Sequence, residues 1–174
     1  MLISGPNGQG KSTLLNILVG LYPVETGEVL ISQGFEKMVY IPQNPHIFGC
    51  NVSQNLQLEL KRIPESYLLK RVNLFKKMEE NPETFSTGEQ QRVIIARGIH
   101  HGDDAELILC DEMFSNIDKG NAELIVKQIT SLWKDKTVIM VCHETIEYPF
   151  NKQIIVEDGS ARMESLPQTG GESA

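Results

Sequence analysis

Eight residues near the start of the chain, Gly5-Pro6-Asn7-Gly8-Gln9-Gly10-Lys11-Ser12, satisfy the pattern GxxxxGK[ST] at every fixed position. An apolar run, Leu2 to Ser4, precedes them, and from Ser12 to Leu21 leucines recur at helical spacing (Leu14, Leu15, Leu18, Leu21). The chain is therefore expected to pass from strand to loop to helix. Glycines let such a loop curl until several N–H groups converge, and the positive end of the following helix adds to them. That arrangement suits a polyphosphate. The pattern assigns Lys11 to the β- and γ-phosphates and Ser12 to a magnesium ion, with Gly5, Pro6, Asn7, Gly8, Gln9, Gly10 and Thr13 completing the cradle.

The remaining chain supplies what such a loop needs around it. With 174 residues, 40% hydrophobic and 22% charged, it can bury one core. Its net charge of −7 argues against a broad nucleic-acid surface. Cys50, Cys110 and Cys142 are too few, in settings too apolar, for a disulfide framework or zinc cluster, so a reducing cytosol is expected. No apolar run approaches the roughly 20 residues that span a bilayer, and the first residues do not read as a signal peptide.

Strands are expected at Val29–Ile31, Met38–Ile41, Leu107–Cys110, Val138–Cys142 and, at a sheet edge, Ile154–Val156; Gly27 and Gly34 read as turns. Helices are expected over Gln90–Ile99 and Ala122–Trp133. A charged amphipathic helix is expected from Val52 to about Met78, burying Leu56, Leu60, Leu68, Leu69, Val72 and Phe75. Strands alternating with helices imply a largely parallel sheet covered on both faces.

Two further blocks carry chemistry. Leu107-Ile108-Leu109-Cys110 delivers Asp111 and Glu112 at a strand's carboxyl end, where open parallel sheets bind ligands. Adjacent residues there point different ways, so Asp111 is expected in a magnesium shell and Glu112 on an attacking water. Alone, such a pair is more often a solvated turn; beside the phosphate loop it is not. Phe85-Ser86-Thr87-Gly88-Glu89 runs into a helix and makes a second anion-friendly N-terminus. Ordinary capping by Ser86 or Thr87, with Glu89 or Gln90 reaching back, explains the same residues.

Taken in order, these blocks resemble the nucleotide-binding domain of ABC transporters from Met1 to about Gly159. Gly5–Ser12 is similar to Walker A, Leu107–Glu112 to Walker B with its catalytic glutamate, and Phe85–Glu89 to the LSGGQ signature. Gln43, in Tyr40-Ile41-Pro42-Gln43, resembles the Q-loop glutamine that contacts magnesium. Ser115-Asn116-Ile117-Asp118 looks like the D-loop, and His143 like the switch histidine that bonds the γ-phosphate beside Glu112. The resemblance implies an α/β P-loop NTPase of RecA-like, three-layer build, with residues 1–45 and 88–160 as core, 46–87 as an inserted helical subdomain and 161–174 as a disordered tail. It also implies ATP with Mg2+, a head-to-tail second copy whose ATP meets Ser86, Gly88 and Glu89, transmembrane permease domains fused or separate, no nucleic acid, and a place on the cytoplasmic face of the cell membrane.

Departures from the family pattern bear on these expectations. The signature reads Phe-Ser-Thr-Gly-Glu, and Thr87 puts a β-branched side chain where glycine is usual. Family domains carry two or so strands ahead of Walker A, with an aromatic residue that stacks on adenine; here the loop comes almost at once, and a shortened form is expected. His46 to Leu56 and Glu80 resemble exporter sequences, which favours export. Leu166-Pro167-Gln168-Thr169-Gly170 matches a sortase pentapeptide but lacks the apolar span that must follow it. A non-transport ABC ATPase would carry a long coiled coil or a second ATP domain. A binding module without turnover would not need both Glu112 and His143.

Overall fold

Among the described residues six short strands form one sheet whose order, β2-β3-β4-β1-β5-β6, places the strand before the glycine-rich loop between two others. The computed structural model describes residues 1–31, 35, 37–44, 46–56, 66–142 and 148–167. Its strands are β1 (Leu2–Ser4), β2 (Met38–Ile41), β3 (Leu107–Asp111), β4 (Thr137–Val141), β5 (Lys152–Glu157) and β6 (Ser160–Ser165). All neighbours are parallel except β5 and β6. The helices are α1 (Lys11–Leu18), α2 (Val52–Leu56), α3 (Ser66–Arg71), α4 (Thr87–His101) and α5 (Lys119–Leu132).

Successive residues of a strand point to opposite faces, and the core follows that alternation. Ile108, Cys110, Val138 and Met140 face a cluster with α2 to α5, whereas Leu107, Leu109, Ile139 and Val141 face a second cluster with Leu15 of α1. The sheet is thus covered on both sides. Each fully buried aliphatic side chain contributes roughly 1.5–3 kcal/mol relative to exposure.

Local chemistry fixes the helix ends. Ser86 and Glu89 form a reciprocal capping box at the start of α4, and Asp118 caps α5 by accepting from the Asn121 N–H at 3.1 Å. After α3, Asn73 adopts φ 56°. The Asn73 N–H then reaches Lys70 O and the Leu74 N–H reaches Leu69 O at 2.8 Å, a Schellman closure sealed by buried Leu69 and Leu74.

Four expectations need correction. Val29–Ile31 forms no strand; Leu30 is 82% exposed, and no described segment pairs with the run. A β-rich composition does not make a strand without a partner ladder. The single helix expected from Val52 to Met78 does not reach its end: residues 57–65 lie outside the described residues, and after α3 the left-handed Asn73 turns the chain into a 3-10 turn at Phe75–Lys77, leaving Phe75 41% exposed. Leu60 and Gly34 lie outside the described residues, and the side chain of Leu68 is likewise not described. The segment expected as a disordered tail from 161 begins instead as β6. Asp158-Gly159, with φ 49° and 71°, makes a tight two-residue turn that sends the chain back along β5. The strand at Ile154–Val156 is consequently internal, and β6 is the edge.

Candidate functional site

The loop between β1 and α1 lies at the carboxyl end of the parallel sheet, and β2 and β3 bring their exits to the same end. Gly5 sits so close to β5 that a Cβ there would collide with the Val156 carbonyl, and its φ of 139° suits glycine alone. The strand-to-loop exit therefore needs this residue type.

Asn7, Gly8, Gly10, Lys11, Ser12 and Thr13 line one side of a cleft of about 440 Å³, with Gln43 and Glu112 lining the other. Lys11 is 5% exposed, and its ammonium donates to the loop's own carbonyls, Gly5 O at 2.9 Å and Pro6 O at 2.8 Å. A polyphosphate in the cleft would compete for those protons. Gln9 faces elsewhere: its Oε1 accepts from the Asp158 N–H at 3.1 Å, fastening the loop to the β5–β6 turn.

Asp111 and Glu112 diverge as adjacent residues at a strand exit must. Asp111 is buried beneath Ser12, whose Oγ donates to its Oδ1 at 3.1 Å. Burial raises the Asp111 carboxyl above its usual range and the Glu112 charge adds to the rise, while the bonds from Ser12 and Tyr40 oppose it. Glu112 adopts φ 48°, its N–H donates to Val141 O at 3.0 Å, and its Oε2 accepts from Gln43 Nε2 at 2.7 Å. That left-handed backbone turns the side chain across the cleft, away from Asp111.

Sequence reasoning missed Tyr40. Its hydroxyl donates to Asp111 Oδ2 at 3.5 Å, so the carboxylate is braced from both sides. Burial, with Asp111 adding to it, pushes the phenol up to about 12, so it remains a donor at neutral pH. The available signal was its position one residue before the last of β2, three before Gln43.

Ser86, Gly88 and Glu89 do not line this cleft. Ser86 N and Oγ donate to Glu89 Oε2 at 3.1 and 3.2 Å, and Glu89 Oε1 meets Lys77 Nζ at 2.7 Å. The Lys77 bond holds the Glu89 carboxyl below its usual range. A Cβ on Gly88 would stand 2.6 Å from the Asn116 carbonyl, so this helix start is locked against the loop after β3. A second link runs through Arg97 of α4, which donates to Asn55 O, Asn55 Oδ1 and His46 O at 2.9, 2.8 and 3.0 Å. It ties the segment after Gln43 to α4. His143 lies outside the described residues.

A mostly parallel sheet with a glycine-rich loop running from its β1 strand into a helix, two acids at the β3 exit and a facing glutamine defines a P-loop NTPase. The ABC transporter family model matches residues 1–115, and the chain belongs to that family as one of its ATP-binding domains. It is 31% identical to a probable ABC transporter ATP-binding/permease protein of Haemophilus influenzae, covering 90% of this chain and 33% of that protein. It is 30% identical to the glutathione/L-cysteine transport system ATP-binding/permease protein CydC of Escherichia coli, covering 93% of this chain and 32% of that protein. The chain thus spans about a third of either relative's length. In fold it matches a bacterial Atm1-family ABC exporter solved with ATP bound, with a TM-score of 0.76 at 20% identity over 91% of this chain and 32% of that one.

Proposed function

We propose that this chain hydrolyses ATP as the motor domain of an ABC exporter, working as a head-to-tail pair at the cytoplasmic face of the cell membrane and coupled to transmembrane permease domains. One observation carries the reading. The phosphate loop, Gln43 and Glu112 line one cleft, and Ser12 of that lining is bonded to Asp111.

Each residue then has a task. Lys11 leaves the Gly5 and Pro6 carbonyls for the β- and γ-phosphates, and the loop N–H groups and the start of α1 bind the remaining charge. Ser12 Oγ and Asp111, with the Gln43 amide oxygen across the cleft, are the oxygen donors that would hold Mg2+, a cation that favours oxygen ligands. When bound, Mg2+ offsets charge on the phosphates. Glu112 accepts a proton from the water that attacks the γ-phosphorus, once Gln43 releases its carboxylate. Tyr40 keeps Asp111 in place. Ser86, Gly88 and Glu89, away from the cleft, form the loop that meets ATP held by a second copy, and His143 bonds the γ-phosphate.

The relatives' joined ATP-binding and permease parts support a membrane partner, and the His46–Leu56 sequence supports export. Nucleotide-driven closure of the pair, reversed by hydrolysis, gives the two states such a partner needs. A steady-state ATPase assay tests the reading. Lys11→Ala should raise KM steeply, and Glu112→Gln should abolish turnover while ATP still binds. Full turnover in Glu112→Gln would overturn it.

A further inference from the structure

The acid at the start of α4 presents a chemical problem. Glu89 Oε2 occupies both donors of Ser86, its backbone N–H and its hydroxyl, within the loop that the paired reading sets against ATP held by a second copy. A carboxylate at that spot competes with phosphate for the same protons and repels it. In water the repulsion would be weak, but in a closing interface the dielectric falls and like charges a few ångströms apart oppose each other strongly.

Lys77 answers that problem geometrically. Its Nζ lies 2.7 Å from Glu89 Oε1, the oxygen opposite to the one bonded by Ser86, and stands 4.6 Å from the centre of the Phe85 ring. The lysine is not adrift on the surface. It ends a 3-10 turn whose neighbours are pinned to α2, with the Ser53 N–H on Met78 O and the Val52 N–H on Glu80 O, both at 3.1 Å. The side chains of Lys77 and Glu89 are 36% and 22% exposed. A pair so exposed adds at most about 1 kcal/mol to stability. Its consequence is therefore expected in ligand handling rather than in folding.

We propose that Lys77 is a positioning residue for the α4 loop: it neutralises Glu89 and retains its carboxylate through Oε1, so that the Ser86 donors can pass to the γ-phosphate of ATP carried by a second copy of this chain. This rests on the paired reading above and deepens it. Binding then exchanges partners rather than stripping one. Ser86 N–H and Oγ–H leave Glu89 Oε2 for phosphate oxygen, while Lys77 keeps the carboxylate compensated through Oε1. Without that cation, Glu89 would hold the Ser86 donors and face the phosphate uncompensated.

The test compares Lys77→Met, which keeps the stem over Phe85, with Lys77→Arg and with Lys77→Met/Glu89→Gln, all in the full chain. Lys77→Met should raise the KM for ATP about tenfold, the scale of one charge-assisted bond, with a smaller change in kcat and little change in Tm. In a Glu112→Gln background it should shift ATP-dependent self-association, measured by sedimentation, to higher ATP concentration by a similar factor. Lys77→Arg should preserve the charge effect, and adding Glu89→Gln should remove the defect, because a neutral amide needs no compensation. A Lys77→Met chain with unchanged KM and self-association overturns the proposal, as does a defect that Glu89→Gln fails to relieve, which would mark Lys77 as merely structural. If the unsubstituted chain neither hydrolyses ATP nor self-associates with it, the paired reading fails first and takes this inference with it.

Discussion

Asp111 lies where stability and chemistry oppose each other. Folding raises its carboxyl, chiefly through burial, so its contribution to stability is fullest below the ordinary carboxylate range and is lost as pH rises through that range and then through the raised value. At neutral pH the ionised group works against folding, even with Ser12 and Tyr40 bonded to it. Asp111→Asn should therefore raise Tm at pH 7, raise it less in acid, and abolish Mg2+-dependent hydrolysis; thermal melts at several pH values check the sign. Gly88 carries the opposite expectation. An added Cβ would face the Asn116 carbonyl at 2.6 Å, a backbone atom that cannot swing aside, so Gly88→Ala should cost about 1–3 kcal/mol. Calorimetry should show a correspondingly lower Tm, by roughly 2–4 °C per kcal/mol for a chain of this size.

Element boundaries follow from local chemistry, and that chemistry decides what could be read in advance. β3 and β4 were legible because Leu107–Cys110 and Val138–Val141 are continuously apolar and buried on both faces. The glycine-rich loop was legible because its spacing has a mechanical reason. Val29–Ile31 misled because strand propensity says nothing about a partner, and β6 was missed because every residue in it is exposed, leaving no alternation to read. Gly98, a poor residue for the middle of α4, is explained only by contact: a Cβ there would collide with the Ile41 side chain of β2. Within the site, the acids and the loop were readable from type and order, whereas the bond from Tyr40 to Asp111 and the pairing of Lys77 with Glu89 depend on contacts between residues distant in sequence. Two tests belong here. Asp118→Ala removes the cap of α5 and should lower the denaturation midpoint. Arg97→Met leaves the oxygens of Asn55 and His46 without their charged donor and should cost about 1–3 kcal/mol. Because Arg97 joins the segment after Gln43 to α4, that variant should also weaken ATP-dependent pairing.

Across the whole molecule, two groups of residues proposed to act on one phosphate chain are kept apart. The cleft gathers the phosphate loop, Gln43 and Glu112, while Ser86 and Gly88 sit on a different surface, at the start of α4. In the proposed reading a single chain offers half of two sites, and two copies arranged head to tail would complete both. The Arg97 link and the close approach of Gly88 to Asn116 join α4 to the segments that follow Gln43 and Glu112. The most direct test is the rate of ATP hydrolysis as a function of chain concentration, measured at saturating ATP and Mg2+ for the unsubstituted chain and for Glu112→Gln. The account predicts a rate that rises faster than linearly before reaching a constant value per chain, and no turnover in the variant. A rate strictly proportional to concentration throughout, or one that Glu112→Gln leaves intact, would contradict it.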